Sequence, residues 1–177
     1  MSDSVAGRRV LITGAARGIG ATLARRLHGR GARVAVVGLE PELLERVAAS
    51  CGDGPWTTCD VTDEGQVDDA VAMAVETFGG LDVVVANAGI AAQLPLVGGD
   101  PEVMRRTLEV NVMGTYLTLR AAGPHISHPN GYALARSENA SSRSMIPNAR
   151  SGTTSYIRLS RRNSGVRSGE IGRYFAR

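Results

Sequence analysis

A chain of 177 residues is long enough for one domain with a real hydrophobic core, and 4% aromatic content means that core must be mostly Val, Leu, Ile and Ala. No apolar run approaches the roughly 20 residues of a membrane span, the N-terminus lacks a signal-peptide core, and Cys51 and Cys59 are too few for a disulfide framework, so a cytoplasmic protein is expected. The formal charge of +3 describes neither part of the chain: residues 1–135 carry 11 Arg against 15 acidic residues, residues 136–177 carry nine Arg against two, and Lys is absent throughout.

Val10 to Thr13 reads as a buried strand. Ile19, Leu23, Ala24 and Leu27 then recur at helical spacing until Gly29 and Gly31 close the helix. Val34 to Val37 is a second strand, too apolar to have one face in water. Pro41 opens a short helix carrying Leu43, Leu44 and Val47. Trp56 to Cys59 predicts a third strand, after which Asp63 caps a helix and Gln66, three residues on, resembles a capping box. Val67, Val71, Ala74, Val75 and Phe78 give that helix its apolar stripe, Gly79-Gly80 ends it, and Leu81 to Ala86 is a fourth strand. Pro101 starts a longer helical stretch that contains Asn111 and offers Val103, Leu108, Val112, Tyr116 and Leu119 for packing. Tyr132 to Ala135 is a short fifth strand.

Strands that alternate with helices at crossover lengths imply parallel βαβ units, and the right-handed crossover rule then gives an α/β fold with a doubly wound parallel sheet. Sites in such sheets lie beyond the carboxyl ends of the strands, where Thr13, Asp60 and Asn87 fall. After Ala135 this grammar stops. Nine Ser and nine Arg crowd residues 136–177 beside one Val and one Leu, so no strand pattern emerges and the composition favours disorder. His125 and His128 have no Cys or carboxylate cluster beside them, and no metal site is expected.

The stretch Thr13-Gly14-Ala15-Ala16-Arg17-Gly18-Ile19-Gly20 joins the first strand to the first helix. A glycine turn at a helix start lets backbone approach an anion closely, and the free N–H groups and helix dipole attract it. Asp60-Val61, Asn87-Ala88-Gly89 and Asn111 follow in order. Together these four features resemble the short-chain dehydrogenase/reductase family over about residues 9–135, with Thr13 to Gly20 matching every defined position of its Thr-Gly-x-x-x-Gly-Ile-Gly motif.

The resemblance implies a Rossmann-like dinucleotide-binding domain over residues 1–135 and an NAD(P)-dependent oxidoreductase acting on an alcohol or ketone. Gly14, Gly18, Ile19 and Gly20 would hold the cofactor pyrophosphate, and Asp60 would accept from the adenine amino group with the Val61 backbone beside it. Asn87, Ala88 and Gly89 would support the sheet and line the cleft, and Asn111 would hold a water in a proton relay. For the choice of cofactor, the carboxylate that NAD users place at the end of the second strand is replaced by Gly38. Glu40 could reach the ribose instead, and Arg17 could pair a 2′-phosphate. Glu40 tips the reading slightly toward NAD.

The family's catalytic centre is a Ser just past the fifth strand, then a Tyr, then a Lys four residues on. Here Ser137 is present, Glu138 stands where the active Ser would be expected, and the nearest Tyr is Tyr156, with Ser160 four residues later. Without Lys the pair cannot exist, so little or no turnover is expected. The Arg/Ser-rich tail has two readings, a shifted reading frame in a GC-rich gene or a basic extension on a truncated cofactor domain, of which the first is preferred. The expected partners are a nicotinamide dinucleotide, a small alcohol or ketone if the chain is active, and a second copy of the chain, since family members pair through two adjacent helices. A membrane or nucleic acid is not expected; the tail has few stacking groups and no recognition motif.

Overall fold

The computed structural model describes residues 5–92, 95, 97–126, 132–135 and 155–158, with the last two segments described as backbone only. The elements run β1 (Arg9–Thr13), α1 (Gly18–His28), β2 (Arg33–Gly38), α2 (Pro41–Ala49), β3 (Trp56–Thr58), α3 (Glu64–Phe78), β4 (Val83–Ala86), α4 (Pro101–Leu108), α5 (Gly114–Ala122), β5 (Tyr132–Ala135) and β6 (Ser155–Arg158). A π-helical turn, Glu109–Met113, joins α4 to α5.

The sheet order is β3-β2-β1-β4-β5-β6. The first five strands are parallel, and β6 is antiparallel to β5. Alternate residues of the inner strands face opposite layers. Val10, Ile12, Val34, Val36, Val83 and Val85 pack with α1 and α2, while Leu11, Ala35, Val37 and Val84 pack with α3 and α5. Both faces of β1, β2 and β4 are covered, which is why these strands read as continuous apolar runs. The expected doubly wound sheet is the fold observed.

Three details depart from the sequence reading. The chain forms β6 at Ser155–Arg158, within the stretch that offered no strand pattern. An edge strand covers only one neighbour, so it does not need the continuous apolar run that signals an inner strand.

The second departure concerns the helical stretch after Pro101: of its expected packing residues Leu119 packs against the core, whereas Val103, Leu108, Val112 and Tyr116 are exposed. The buried face is Val110, Gly114, Leu117, Thr118 and Ala122. Gly114 makes this face possible, because a Cβ there would meet Val61 Cγ2 at 2.5 Å. Thr118 tolerates burial by donating its hydroxyl to the Gly114 carbonyl at 2.7 Å. Small and polar residues stand among the large ones on the packed side, so a search for large apolar residues alone does not find it.

The third departure is that β4 begins at Val83 rather than Leu81: Leu81 makes an isolated parallel bridge to Ile126, and Asp82, between it and β4, enters an ion pair. Arg9 donates to Asp82 through Nη2 at 2.7 Å, Nε at 3.0 Å and its backbone N–H at 2.9 Å. The Asp82 N–H donates back to the Arg9 carbonyl at 2.9 Å. The hydrogen bonds from Arg9 hold the Asp82 carboxyl below its ordinary range. This contact closes the amino ends of β1 and β4.

Candidate functional site

At the opposite ends of the same strands, a hydrogen-bonded frame supports the glycine turn. Thr13 is buried, and its hydroxyl oxygen accepts from the backbone N–H groups of Asn87 and Ala88, both at 3.1 Å. Asn87 Nδ2 donates to the Thr13 carbonyl at 3.0 Å and the Gly14 carbonyl at 3.2 Å. The Ala15 N–H donates to the Val37 carbonyl at 3.0 Å, which ties the turn to the end of β2.

The three motif glycines are needed for three reasons. Gly14 has φ +62°, and a Cβ there would lie 2.6 Å from Ala88 Cα. A Cβ on Gly20 would collide with the Gly14 carbonyl oxygen and the Asn87 side chain. Gly18 has φ +57° but faces open space, with nothing within 4 Å of an added Cβ. That opening lies at the start of α1, whose N-cap residue Arg17 makes no side-chain capping bond and whose first turn holds no acid. By contrast, α3 and α4 are capped by Asp63 and Asp100. The α1 terminus therefore presents N–H groups to an outside acceptor. Exposed apolar side chains follow three different strands at this end of the sheet: Ile19 in the first turn of α1, Leu39 just past β2 and Ile90 in the loop after β4. Exposed apolar side chains at this end of the sheet suit a partly apolar ligand.

Arg17 and Glu40, two sequence candidates from different loops, pair with each other at 3.0 Å. Sequence spacing could not give this contact, since it depends on β2 lying beside β1.

Asp60 is held by Thr62, whose N–H and hydroxyl both reach Oδ1, at 3.0 and 2.7 Å. Arg106 of α4 approaches Oδ2 at 3.3 Å and the Thr62 hydroxyl at 3.3 Å. The Thr62 backbone bond first, then the Thr62 hydroxyl and Arg106, keep the Asp60 carboxyl below its ordinary range despite partial burial. Gln66 sends its side-chain oxygen to the Asp60 N–H at 2.9 Å, so the expected box at Asp63 is shared with the loop before it. Sequence reasoning missed Arg106, whose role depends on α4 crossing the loop after β3. Beside this loop, burial and then Asp60 and Asp63 push the Cys59 thiol up to about 11, which removes it as a nucleophile at neutral pH.

Asn111 lies in the π-helical turn, and its side chain both accepts from the Ile90 N–H and donates to the Ile90 carbonyl, each at 2.8 Å. Gly89 lies against it, since a Cβ there would stand 3.1 Å from Asn111 Oδ1. The Asn111 carbonyl accepts the Thr115 hydroxyl at 2.8 Å. The side chain thus fastens the loop after β4 to the π-helical turn.

The catalytic candidates fare differently. Ser137 lies outside the described residues. Tyr156 is a backbone position of β6, in register with Leu134. On α5, Tyr116 and Arg120 keep a Tyr-x-x-x-cation spacing with arginine in the place of the family's lysine. That spacing falls before β5 rather than after it, and Arg120 is paired with Glu64 and Asp68 of α3 at 3.0 and 2.9 Å. Among the described residues, no group of three or more His, Cys, Asp or Glu gathers to hold a metal ion, and no helix is long and apolar enough to cross a membrane.

A family model described as enoyl-(acyl carrier protein) reductase matches residues 14–155, beginning inside the glycine turn and continuing past Ala135. The chain is 41% identical to short-chain dehydrogenase reductase 5 of Arabidopsis thaliana, over 66% of this chain and 46% of the relative. The chain belongs to the short-chain dehydrogenase/reductase family. It is also 39% identical to trans-4-hydroxycyclohexanecarboxylate dehydrogenase of Sinomonas cyclohexanicum, over 74% of this chain and 54% of the relative. Among solved structures of the family, a 3-ketoacyl-(acyl-carrier-protein) reductase from Brucella melitensis complexed with NADH superposes with a TM-score of 0.66 at 39% identity, over 69% of this chain and 51% of that one. A short-chain dehydrogenase from Burkholderia cenocepacia in complex with NADP gives 0.67 at 34% identity, over 74% and 55%. The chain spans about half the length of the family relatives it matches.

Proposed function

We propose that the carboxyl ends of β1 to β4 hold a nicotinamide dinucleotide, and that the chain derives from an oxidoreductase moving hydride between nicotinamide and an alcohol or ketone. The observation that carries this reading is the turn after β1, where open space over Gly18 meets an uncapped helix N-terminus. Gly14, Gly18, Ile19 and Gly20 take the pyrophosphate there. Asp60, held as an ionised acceptor, takes the adenine amino group beside the Val61 backbone. Asn87, Ala88 and Gly89 line the cleft, and Glu40 accepts from the adenosine ribose, which favours NAD.

The bound dinucleotide supplies or accepts the hydride. The protein must supply a proton donor or acceptor at the substrate oxygen, and the family uses a Tyr whose pKa is lowered by a nearby Lys. This chain has no Lys, and a guanidinium reproduces neither the geometry nor the titration of an ammonium. Ser137 and Tyr156 are the residues left to act. We therefore expect dinucleotide binding with little or no turnover.

A cytoplasmic setting fits two cysteines that remain free and buried. The exposed apolar face of Val103, Met104, Leu108, Val112, Met113 and Tyr116 fits pairing with a second copy, as in the family.

Calorimetric titration of the whole chain with NADH and NADPH tests the binding, and a coupled alcohol and ketone assay tests the turnover. Saturable binding, with rates far below ~1 per second, is expected. Absence of saturable binding overturns the cofactor site, and ordinary turnover overturns the catalytic reading.

A further inference from the structure

Asp60 has one carboxylate oxygen left for a ligand. Oδ1 is filled from within its own loop by the Thr62 N–H and hydroxyl, at 3.0 and 2.7 Å. Oδ2 is met from outside that loop, by Arg106 Nη2 of α4 at 3.3 Å. The other terminal nitrogen of the same guanidinium, Nη1, donates to the Thr62 hydroxyl, also at 3.3 Å. One planar fork therefore spans the acceptor and the residue that anchors it. The remaining ties of the loop do not touch Oδ2: the Asp60 N–H donates to Gln66 Oε1 at 2.9 Å, and Val61 packs against the bare face of Gly114.

Arg106 does little for its own helix. None of the eight residues of α4 is buried, Arg105 pairs with Glu102 instead, and the Arg106 side chain is 51% exposed. Among the described residues, Arg106 makes the only side-chain hydrogen bonds from α4 to another element or loop. A pair this exposed adds little to stability. What it fixes is the direction of one oxygen.

We infer that Arg106 is a positioning residue that aims Asp60 Oδ2 at the base of the dinucleotide, so that α4 takes part in selecting a purine that carries an amino group. This inference rests on the dinucleotide reading above and deepens it by naming the residue behind the choice of base.

An amino group donates to the ionised oxygen, whereas a purine with a carbonyl oxygen at that place sets two acceptors face to face. The contrast is only as sharp as Oδ2 is fixed. An oxygen free to turn away loses its bond to the amino group and no longer opposes the carbonyl, so both sides of the preference shrink together. Holding Oδ2 from a second element prevents that turn at small cost, because the guanidinium fork is rigid before the base arrives.

The test is calorimetric titration of the full chain, Arg106→Met and Arg106→Lys, each with NADH and with the reduced nicotinamide hypoxanthine dinucleotide, in which a carbonyl oxygen replaces the adenine amino group. Methionine keeps an unbranched side chain and the helix propensity while removing the donors. Thermal melts of all three proteins check that the fold is kept. The parent should favour NADH about tenfold or more, in line with a charged hydrogen bond made to one base and opposed by the other. Arg106→Met should narrow that preference to about threefold or less, chiefly by weakening NADH. Arg106→Lys should recover part of it, since an ammonium brings the charge without the fork. An unchanged preference in folded Arg106→Met overturns the positioning role and leaves the dinucleotide site standing. An equal loss for both dinucleotides overturns it as well, because Arg106 would then act on a part that the two ligands share. A parent that binds both equally overturns the selection of the amino group. Failure of the folded parent to bind either one overturns the dinucleotide site itself, and this inference with it.

Discussion

At the amino ends of β1 and β4, Arg9 and Asp82 meet in a largely buried ion pair that leaves the strand ends closed. At the carboxyl ends of the same strands, Thr13 and Asn87 spend their hydrogen bonds on fixing a turn whose next residues, Arg17 to Ile19, remain exposed. One end is finished with charges that satisfy each other. The other is finished with a rigid frame, backbone N–H groups and exposed apolar side chains that await a partner. On the proposed function, the difference separates residues that hold this sheet together from residues that give it a use, although they are neighbours along the same strands.

The comparison breaks most directly at its closed end. Asp82→Ala removes the carboxylate from a largely buried ion pair while Arg9 keeps its charge and its bond to the Gly79 carbonyl, and should cost about 3 kcal/mol in urea unfolding. Dinucleotide binding by the protein that remains folded should not change. A loss below ~1 kcal/mol would make the pair ornamental and remove the contrast.

The open end answers differently. Gly14→Ala should cost about 2 kcal/mol, from a left-handed backbone and the approach of Ala88. Gly18→Ala has only the backbone cost of about 1–2 kcal/mol, because nothing lies within reach of its new methyl. Both should weaken dinucleotide binding at least tenfold by calorimetry, and Gly18→Ala should give the larger binding loss for its stability loss.

Asn87→Ala joins the two behaviours. It removes two donors from the carbonyls of Thr13 and Gly14, at a cost of about 1–2 kcal/mol, and loosens the turn. A binding loss that follows the stability loss is the outcome expected of a frame residue.

The smallest effect is the response to acid. The carboxyls of Asp60 and Asp82 are both held below their ordinary range. Their contribution to stability is therefore complete above the unfolded value of about 3.9 and is lost as pH falls through the lowered folded values. Melting temperature should stay level from pH 7 to about 5 and drop below about 4. Asp82→Asn should flatten that drop, and an unaltered drop would assign the acid response elsewhere.

Much of the open end was legible in the sequence, because its parts are local. A glycine turn between an apolar run and a helix, an Asp-Val after the third strand and an Asn-Ala-Gly after the fourth each declare themselves within a few residues. The closed end was not legible, because Asp82 sits in an apolar run and its meaning comes from Arg9, many residues earlier. Arg106 and the Arg17–Glu40 pair were hidden for the same reason. The face of α5 was misjudged in part, with Leu119 packed and Tyr116 exposed, because Gly114 and Thr118 pack by being small, whereas periodicity looks for size. β6 escaped because an edge strand can be made of Ser-Tyr-Ile-Arg without a buried face on both sides.

The central claim is that the carboxyl end of this sheet is a working dinucleotide site in a chain without its Tyr-Lys pair. Titration of the whole chain with NADH, run beside Gly18→Ala, tests it most directly. One saturable site in the parent and at least tenfold weaker binding in the folded variant is the result expected. Equal heats for both proteins, or none for the parent, would contradict it.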